Sequence, residues 1–404
     1  MIDGTALPAG MRHDGGAALD QAGGRSSGLR VRLTSRLADV ESAWCALQTP
    51  GIESPGQDLA FTRHWIDRFA VPESRQLYVL GELAGQPVAL LPLVQRSFCG
   101  LSLLTWFPGR HVGCNAPLVD RRALSAMTAE DRAGLWRTMT ADIRGVDSIY
   151  LAAVPHDTEI FDQFGSSIET DTLFRAEFTD WEEADRTQRS KSRRKHDRQQ
   201  GDRLDALGAV SFEEIAGGGR ADEVIATMFA QRAARFSAMG VRDPFAREGV
   251  RGFYASALER GSGVDVRLHV LRLNGDIVAI RYNIVRGERM FCLISSMSDD
   301  PHIQSGSPGK QCLLRVMQSV FDGGIRSFDM GSGFTDEKRH WCNTQIPVRS
   351  HYYPLTAAGR LAAFGHRRFK LVRRQIKTDP KLMSMARRVR ALTGRVGGGA
   401  NHAG

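Results

Sequence analysis

The spacing of apolar side chains predicts an α/β unit over residues 29–181. Residues 59–69 carry Phe61, Trp65, Ile66 and Phe69, and apolar residues three and four positions apart form one face of a helix. Residues 76–82 and 87–94 are predicted as strands joined by a short loop with a glycine. The same reasoning predicts strands at 29–35, 101–107 and 148–153 and helices at 37–47 and 129–144.

A second unit, over residues 208–360, shows the same order of elements more clearly. Asn274-Gly275 separates two strand-like runs, and this dipeptide is a strong hairpin signal. The predicted strands are 264–273, 276–285, 289–296, 325–330 and 348–353, and the predicted helices are 221–239, 248–258, 308–321 and 336–342. Three successive strands, a helix and a further strand favour an α/β fold with a mixed sheet and one crossover helix over a doubly wound parallel sheet.

The remaining segments are predicted as flanks and a bridge. Residues 1–28 and 396–404 are rich in small and polar side chains and are predicted to be disordered. Residues 182–207 are predicted to form a basic linking helix, and residues 361–395 a basic amphipathic tail. Hydrophobic residues make up 42% and charged residues 25% of the 404 residues, which excludes a fibrous or wholly disordered chain. With no long apolar run and no secretory-type leader, the sequence predicts a cytoplasmic protein.

The net charge of +9 is concentrated in two segments. Residues 186–203 carry +6 and residues 367–395 carry +10, so the rest of the chain carries −7. Such segments favour phosphate-bearing partners, namely a nucleotide cofactor, an anionic membrane or nucleic acid. The basic helix lacks interleaved aromatic residues, which argues against stacking on nucleic-acid bases. It is therefore expected to be a solvated linker or a docking site for an anionic substrate or lipid headgroup.

The tail alternates apolar and basic residues, with a break at Asp379-Pro380. This pattern suits a helix that lies on a membrane surface, at the inner face of the membrane in a cytoplasmic protein. Packing of its apolar side on the domain is an equal alternative. The six cysteines are dispersed, without a zinc pattern or a disulfide framework, and are predicted to be reduced packing residues; no metal site is expected.

The segment before residue 308 is a candidate anion site. Ser307 is a good N-cap residue and Pro308 suits the first position of a helix. Free N–H groups at a helix start attract anions, and Lys310 adds a charge. Gly306 and Gly309 would let a ligand approach the backbone, although a capped helix start without a ligand explains the same residues.

Asp329 and Lys338 are the candidate catalytic residues. Asp329 lies at a strand end before Gly331-Ser332-Gly333, where a carboxylate can accept a proton from an attacking amine or can hold the following turn. Lys338 could hold an acidic substrate group or stabilise an oxyanion, or it could be a solvated helix lysine. His340 is expected at the surface.

Three further residues are candidate substrate contacts. Alternation along the strand 276–285 places Arg281 and Asn283 on one face at mid-strand. Buried polar groups need hydrogen-bond partners, which a binding cleft would supply. An exposed sheet face, where water is the partner, is the alternative. Trp341 lies three residues beyond Lys338 and is assigned to the same substrate site.

The sequence resembles the GNAT superfamily of acyl-CoA N-acyltransferases, in its CelD-like branch, over about residues 40–360. The stretches that carry the resemblance are VALLPL at 88–93, SKSRRKHDRQQGDRL at 190–204, SPGKQCL at 307–313 and FDMGSGFTDEKRHW at 328–341. The resemblance implies two GNAT-like halves in tandem, similar to the Fem peptidyltransferases. It strengthens a catalytic role for Asp329, because the branch shares the D-x-G-x-G pattern followed by lysine.

In this superfamily the acyl-CoA pyrophosphate sits on a Q/RxxGxG/A turn. Here the turn reads Gln304-Ser305-Gly306-Ser307-Pro308-Gly309, with the spacing shifted to QxGxxG. The resemblance therefore implies acetyl-CoA or another acyl-CoA as co-substrate. The expected activity is N-acylation of an amino sugar or related precursor in envelope or exopolysaccharide biosynthesis. A Fem-like transferase that uses aminoacyl-tRNA and a non-catalytic subunit of a polysaccharide-synthesis complex are the alternatives.

Overall fold

The computed structural model describes residues 28–48, 51–156, 158, 166–240, 243, 245–246 and 248–378. The predicted leader apart from Gly28, and the end of the predicted tail with its break at Asp379, lie outside the described residues. Among the described residues, no helix is both long and apolar enough to cross a bilayer.

Within the described residues, the first half contains six strands and four α-helices. The strands are β1 (Leu29–Thr34), β2 (Gln76–Leu83), β3 (Gln86–Phe98), β4 (Leu101–Trp106), β5 (Leu118–Val119) and β6 (Ser148–Pro155). The helices are α1 (Glu41–Leu47), α2 (Leu59–Arg68), α3 (Arg121–Ala126) and α4 (Ala129–Ala141). The strands and helices predicted between residues 29 and 153 are confirmed, although the first helix begins at Glu41, and β5 and α3 are additions.

The remaining strands are β7 (Ser166–Glu177), β8 (Val210–Ile215), β9 (Asp265–Leu273), β10 (Asp276–Arg286), β11 (Arg289–Met297), β12 (Ser327–Ser332) and β13 (Thr344–Pro354). The helices are α5 (Trp181–Gln188), α6 (Lys191–Asp205), α7 (Gly219–Ala238), α8 (Glu248–Ser256), α9 (Pro308–Asp322), α10 (Asp336–Trp341) and α11 (Ala357–Thr378). The single linking helix predicted at 182–207 is wrong. Helix α5 ends at Gln188, and Ser190 caps α6, since its hydroxyl accepts a hydrogen bond from the N–H of Arg193.

The two halves share one mixed sheet, which confirms the predicted fold class. The strand order is β1-β2-β3-β4-β6-β13-β7-β12-β11-β10-β9-β8, and β5 pairs with β3. The halves exchange strands at the centre. β7 precedes the second half in the chain but pairs with β12, while β13 follows β12 and pairs with β6; β7 and β13 also pair with each other. Each half therefore completes its sheet with a strand from the other part of the chain.

Aromatic packing also joins the halves. The ring of Phe253 on α8 lies 5.3 Å from the ring of Phe61 and 4.9 Å from that of Trp65, both on α2. These residues belong to one buried apolar cluster with Trp44 and Tyr282. A core that draws on both halves makes them a single packed unit. All six cysteines are free, and three of them are buried.

Candidate active site

A gap opens between the parallel strands β11 and β12. Pairing between them covers three residue pairs, from Arg289↔Ser327 to Phe291↔Asp329, although β11 continues to Met297 and β12 to Ser332. Beyond Phe291 the backbone groups of β11 on this side face the gap. In the first half, β4 and β6 pair over only Leu103↔Ser148 and Leu104↔Ile149, so each half has a similar opening.

Helix α9 begins beside the gap of the second half. Its first turn contains no acidic residue and receives no side-chain cap. The prediction that Ser307 caps α9 is wrong, because Ser307 adopts a left-handed conformation (φ 48°, ψ 61°) and its hydroxyl instead accepts a hydrogen bond of 2.8 Å from the Gln200 side chain. The helix start therefore keeps the positive end of its dipole uncompensated by a side chain, as an anion site requires.

The other residues of the predicted cofactor loop surround this helix start. Gln304 donates to the carbonyl of Ser298 at 2.7 Å, and Lys310 is partly exposed in the first turn of α9. A β-carbon on Gly306 would lie 3.0 Å from Leu204, and one on Gly309 would lie 2.8 Å from the sulfur of Met297. Protein packing thus explains both glycines, while the Gly309 backbone stays partly exposed.

The corresponding helix of the first half has a different start. The hydroxyl of Thr128 accepts a hydrogen bond from the N–H of Asp131, and the Asp131 side chain bonds back to the N–H of Thr128. Glu130 and Asp131 also place two carboxylates in the first turn of α4. This capping box occupies the N–H groups of Thr128 and Asp131, and the two carboxylates repel phosphate. The two helix starts therefore differ in the property that anion binding needs.

Asp329 and Lys338 both hold the backbone at the C-terminal end of β12. The Asp329 carboxylate accepts a hydrogen bond of 2.7 Å from the N–H of Gly331. The Lys338 ammonium donates to the carbonyls of Gly331 and Ser332 at 3.2 and 2.7 Å. Burial lowers the pKa of Lys338. The two predicted catalytic residues thus hold the same turn from opposite sides, and Lys338 is not a solvated helix lysine.

Asp329 also belongs to a buried ionic network that joins the halves. Its second oxygen accepts a hydrogen bond of 2.9 Å from Arg175 of β7, and Arg175 pairs with Glu53 at 2.7 Å. Glu53 pairs in addition with Arg289 and Arg121. Burial would raise the pKa of Glu53, but the arginines, with Arg175 first among them, lower it below its ordinary value.

Sequence reasoning missed Arg175 and Glu53 as partners of Asp329. The strand that holds Arg175, β7, was not predicted, although the run Thr172-Leu173-Phe174-Arg175-Ala176 contains some polar–apolar alternation. Glu53 lies in the turn region before α2. The pairing of residues 154 positions apart in the chain follows from the strand exchange, which no local pattern reports.

The predicted substrate residues occupy three different environments. Arg281 reaches toward the gap, where it lies 3.6 Å from Glu337 and 3.8 Å from the sulfur of Cys292. Asn283 is fully buried and contacts the ring of His269 at 2.8 Å. Trp341 is 4% exposed and packs 5.9 Å from the ring of Trp181. The structure therefore places Arg281 against Glu337 and packs Asn283 and Trp341 against other aromatic or ring partners. Within the described ranges, no group of three His, Cys, Asp or Glu side chains could hold a metal ion.

Comparison with known proteins identifies the segment that holds this gap. Residues 191–339 match the family model of the acetyltransferase (GNAT) domain. This segment spans α6 to α10 and includes the gap, the start of α9 and the Asp329–Lys338 loop. The match supports the GNAT part of the predicted resemblance over these residues, and it supports an acyltransferase. The CelD-like branch remains a prediction. No curated protein matches the chain.

Solved structures show the same fold over most of the chain. The C-terminal domain of a protein named as a lysylphosphatidylglycerol synthetase from Agrobacterium fabrum is 14% identical, with a TM-score of 0.50; the match covers 81% of this chain and 95% of that one. FemX is 11% identical, with a TM-score of 0.52, and the match covers 78% and 96%. At these identities the likeness establishes the fold alone.

Proposed function

We propose that this GNAT-type acyltransferase transfers an acyl group from acetyl-CoA or another acyl-CoA to an amine, and that the gap between β11 and β12 is the working site. The proposed acceptor is an amino sugar or a related precursor of an envelope polysaccharide or exopolysaccharide. The acceptor part of the proposal rests on the sequence resemblance to the CelD-like branch.

The contrast between the two helix starts carries this proposal. The start of α9 has no side-chain cap and no acidic residue, whereas the start of α4 has a capping box and two carboxylates. Because phosphate favours the positive end of a helix dipole and is repelled by carboxylates, the second half is the better site for a CoA pyrophosphate. Lys310, in the first turn of α9, would add a positive charge.

The open edge of β11 would receive the remainder of the co-substrate. The pantetheine arm of CoA is an extended chain with two amide groups. Such a chain can pair with an unpaired strand edge, as extended peptides do. Residues 292–297 follow the last β11–β12 pair and lead to α9. Phosphates at the start of α9 would thus place the thioester near the Asp329–Lys338 loop.

In the proposed reaction the acceptor amine attacks the thioester carbonyl. A new C–N bond forms, the C–S bond breaks, and the CoA sulfur leaves as a thiolate or takes up a proton. Asp329, directly or through a water molecule, would remove the amine proton, and Lys338 would stabilise the oxyanion or hold an acidic acceptor group. Asp329 is 3% exposed and both of its oxygens already accept hydrogen bonds, so the water-mediated route suits the geometry better.

Glu337 is a second candidate base beside the gap. Its side chain is 32% exposed, against 3% for that of Asp329, and it faces Arg281. We retain Arg281 as the proposed acceptor contact, since it is held between Glu337 and Cys292. Asn283 and Trp341 remain predicted substrate residues. Because both are buried, an indirect effect on acceptor binding is favoured over direct contact.

A Fem-like use of aminoacyl-tRNA is the second candidate function. Lys191, Lys195, Arg198 and Arg203 are exposed on α6, and α6 packs on α9 through Gln200–Ser307 and through the hydrogen bond from Gln311 to the Asp197 carbonyl. A basic surface next to the helix start would suit a polyanion. Such binding would depend steeply on salt concentration.

Thermal shift with CoA thioesters of increasing chain length tests the first function. A ligand at 100 times its Kd adds about 2.7 kcal/mol to the stability of the native state. Gly309→Asp places a carboxylate at the phosphate position and should abolish the shift. Gly309→Ala controls for the contact with Met297 and should retain most of it. Gly219→Asp, at the start of α7 where a β-carbon meets no atom within 4 Å, should bind acyl-CoA like the wild type.

The same screen separates the two functions. If no CoA thioester raises the melting temperature of the wild type, and the wild type binds aminoacyl-tRNA with a steep salt dependence, the acyl-CoA proposal is wrong and the Fem-like activity is favoured. Equal loss of binding in Gly309→Asp and Gly219→Asp would mean that the added charge acts at long range, and the site would have to lie elsewhere.

A further inference from the structure

Helix α11 lies on the sheet with its small and polar side inward. Gly359 sits against the backbone of Asp147 so closely that a β-carbon would collide with it. The ring of His366 is 3.1 Å from the hydroxyl of Tyr352, and the Lys370 ammonium donates to the hydroxyl of Tyr150 and to that of Ser350. These contacts fix which side of the helix meets the sheet.

The apolar side of α11 consequently faces away from the protein. The exposed fractions are 75% for Leu361, 58% for Phe364, 60% for Phe369 and 52% for Val372. An amphipathic helix of a globular protein normally turns its apolar side to the core. A row of four large apolar side chains on the outside indicates a surface that something else covers. The alternative in which the tail packs its apolar side on the domain is therefore wrong for this helix.

The charges of the same helix select the kind of partner. Its 22 residues include seven basic residues and no acidic residue: Arg360, Arg367, Arg368, Lys370, Arg373, Arg374 and Lys377. The Arg368 guanidinium lies 5.3 Å from the ring of Phe364, so positive charge and apolar surface share one side. The sequence beyond α11 adds five basic residues against Asp379 alone.

We propose that the outward side of α11, formed by Leu361, Phe364, Arg368, Phe369 and Val372, docks on an anionic lipid bilayer. A helix of this length spans about 33 Å, and it would lie in the plane of the interface with its apolar side chains among the acyl chains. Lipid headgroups supply many negative charges at once, whereas a protein partner would need both an apolar groove and a dense acidic rim. This proposal does not depend on the identity of the acyl donor.

Co-sedimentation of the full chain with lipid vesicles tests the proposal. Vesicles of phosphatidylcholine with 30% phosphatidylglycerol should bind the protein, and vesicles of phosphatidylcholine alone should bind it at least tenfold more weakly. Since each basic residue near such a surface contributes roughly 1 kcal/mol, Arg367→Gln/Arg368→Gln should weaken binding by about 30-fold. Phe364→Ser/Phe369→Ser should weaken it at least tenfold through lost insertion.

Matched control variants alter the same residue types elsewhere. Phe98→Ser removes an aromatic ring that is 66% exposed at the end of β3, and Arg30→Gln/Arg75→Gln removes two exposed arginines of the first half. Both should bind the vesicles within twofold of the wild type. Circular dichroism should give nearly the same melting temperature for all variants, because the altered side chains are exposed or, at Arg367, half-buried.

Three outcomes would overturn the proposal. The first is a wild-type protein that stays in the supernatant at low salt. The second is an equal loss in the α11 variants and in their controls. The third is a wild-type dimer in sedimentation equilibrium that Phe364→Ser/Phe369→Ser converts to a monomer, without vesicle binding; the side would then be an interface with a second copy. Acetyl-CoA binding, measured in parallel, distinguishes failure of the membrane-docking proposal from failure of the proposed acyltransferase function.

Discussion

At the scale of single residues, one loop unites the two side chains that sequence reasoning selected. Asp329 and Lys338 hold the backbone of Gly331 from opposite sides. The pattern Asp-x-Gly-x-Gly followed by lysine selected them together with the family resemblance, and both lie within ten residues of each other. Arg175, the partner of Asp329, could not be found in this way, since only the strand exchange brings it there.

Replacement of the two carboxylates near the gap should distinguish a base from a structural anion. Asp329→Asn should lower turnover by about 100- to 10,000-fold, as loss of a general base does, with little change in acyl-CoA affinity. It should also lower the free energy of unfolding by about 3 kcal/mol, because Arg175 loses a buried counter-charge. Steady-state kinetics and urea unfolding measure the two effects.

Glu337→Gln is the matched variant, since Glu337 lies beside the same gap but outside the buried network of Asp329. Its turnover should stay within tenfold of the wild type. The reverse result, in which Glu337→Gln is inactive and Asp329→Asn is only less stable, would make Glu337 the base and Asp329 a structural residue.

Lys338 permits a second test at this scale. Lys338→Ala removes the donors to the carbonyls of Gly331 and Ser332. If the lysine holds an acidic acceptor group, the KM for the acceptor should rise about tenfold or more; if it stabilises the oxyanion, kcat should fall instead. Kinetics with the acceptor varied at saturating acyl-CoA separate the two roles. Unchanged kcat and KM would leave Lys338 with a structural role only.

At the scale of elements, helix starts carry the functional difference between the halves. The positions of α4 and α9 were predicted from apolar periodicity, but whether a side chain caps α9 was predicted wrongly. Serine is a residue type that favours capping, yet Ser307 adopts a left-handed backbone conformation and makes no cap. The strands β7 and β8 were also missed. β8 is an edge strand of only six residues, and its sequence VSFEEI leaves it partly exposed, so its apolar signal is weak.

The capping box of α4 should matter for stability and not for binding. Thr128→Ala removes the cap and should lower the free energy of unfolding by about 1 kcal/mol. Acyl-CoA affinity should be unchanged, because the proposed anion site is the start of α9. Denaturant unfolding and calorimetric titration of the same variant measure the two quantities. A gain or loss of acyl-CoA affinity in Thr128→Ala would place the first half in the binding site.

At the scale of the whole molecule, the exchanged strands make the two halves interdependent. The sequence predicted two similar units and a linker, but β7 and β13 each complete the sheet of the other half. Local patterns report which residues form strands and do not report which strand is the neighbour. The central sheet order therefore required the structure.

A buried histidine in β13 should make the joined sheet sensitive to acid. Burial, and next the charge of Arg349, lower the pKa of His351 to about 4 from its ordinary 6.5. Above pH 6.5 the residue is neutral in both states and has no effect. As the pH falls from 6.5 to 4, only the unfolded chain takes up the proton, so the native state loses stability, by about 2.5 kcal/mol at pH 4.5.

His351→Gln should remove this part of the acid sensitivity. Urea unfolding of the wild type and the variant at pH 7.5 and pH 4.5 isolates it, because all other titrating groups are common to both proteins. The difference in the free energy of unfolding should shift by about 2.5 kcal/mol between the two pH values in favour of the variant. Parallel pH profiles would show that His351 titrates normally in the native state.

The central claim is that acyl-CoA binds in the gap of the second half, between the open edge of β11 and the start of α9. Hydrogen–deuterium exchange of the full chain, with and without saturating acetyl-CoA, tests it most directly, since backbone amides that bind the co-substrate exchange more slowly. We predict added protection at residues 292–297 and 306–311 and unchanged exchange at the equivalent first-half segment, 105–107 and 128–132. Protection confined to the first half, or none in either half while acetyl-CoA is shown to bind, would contradict the account.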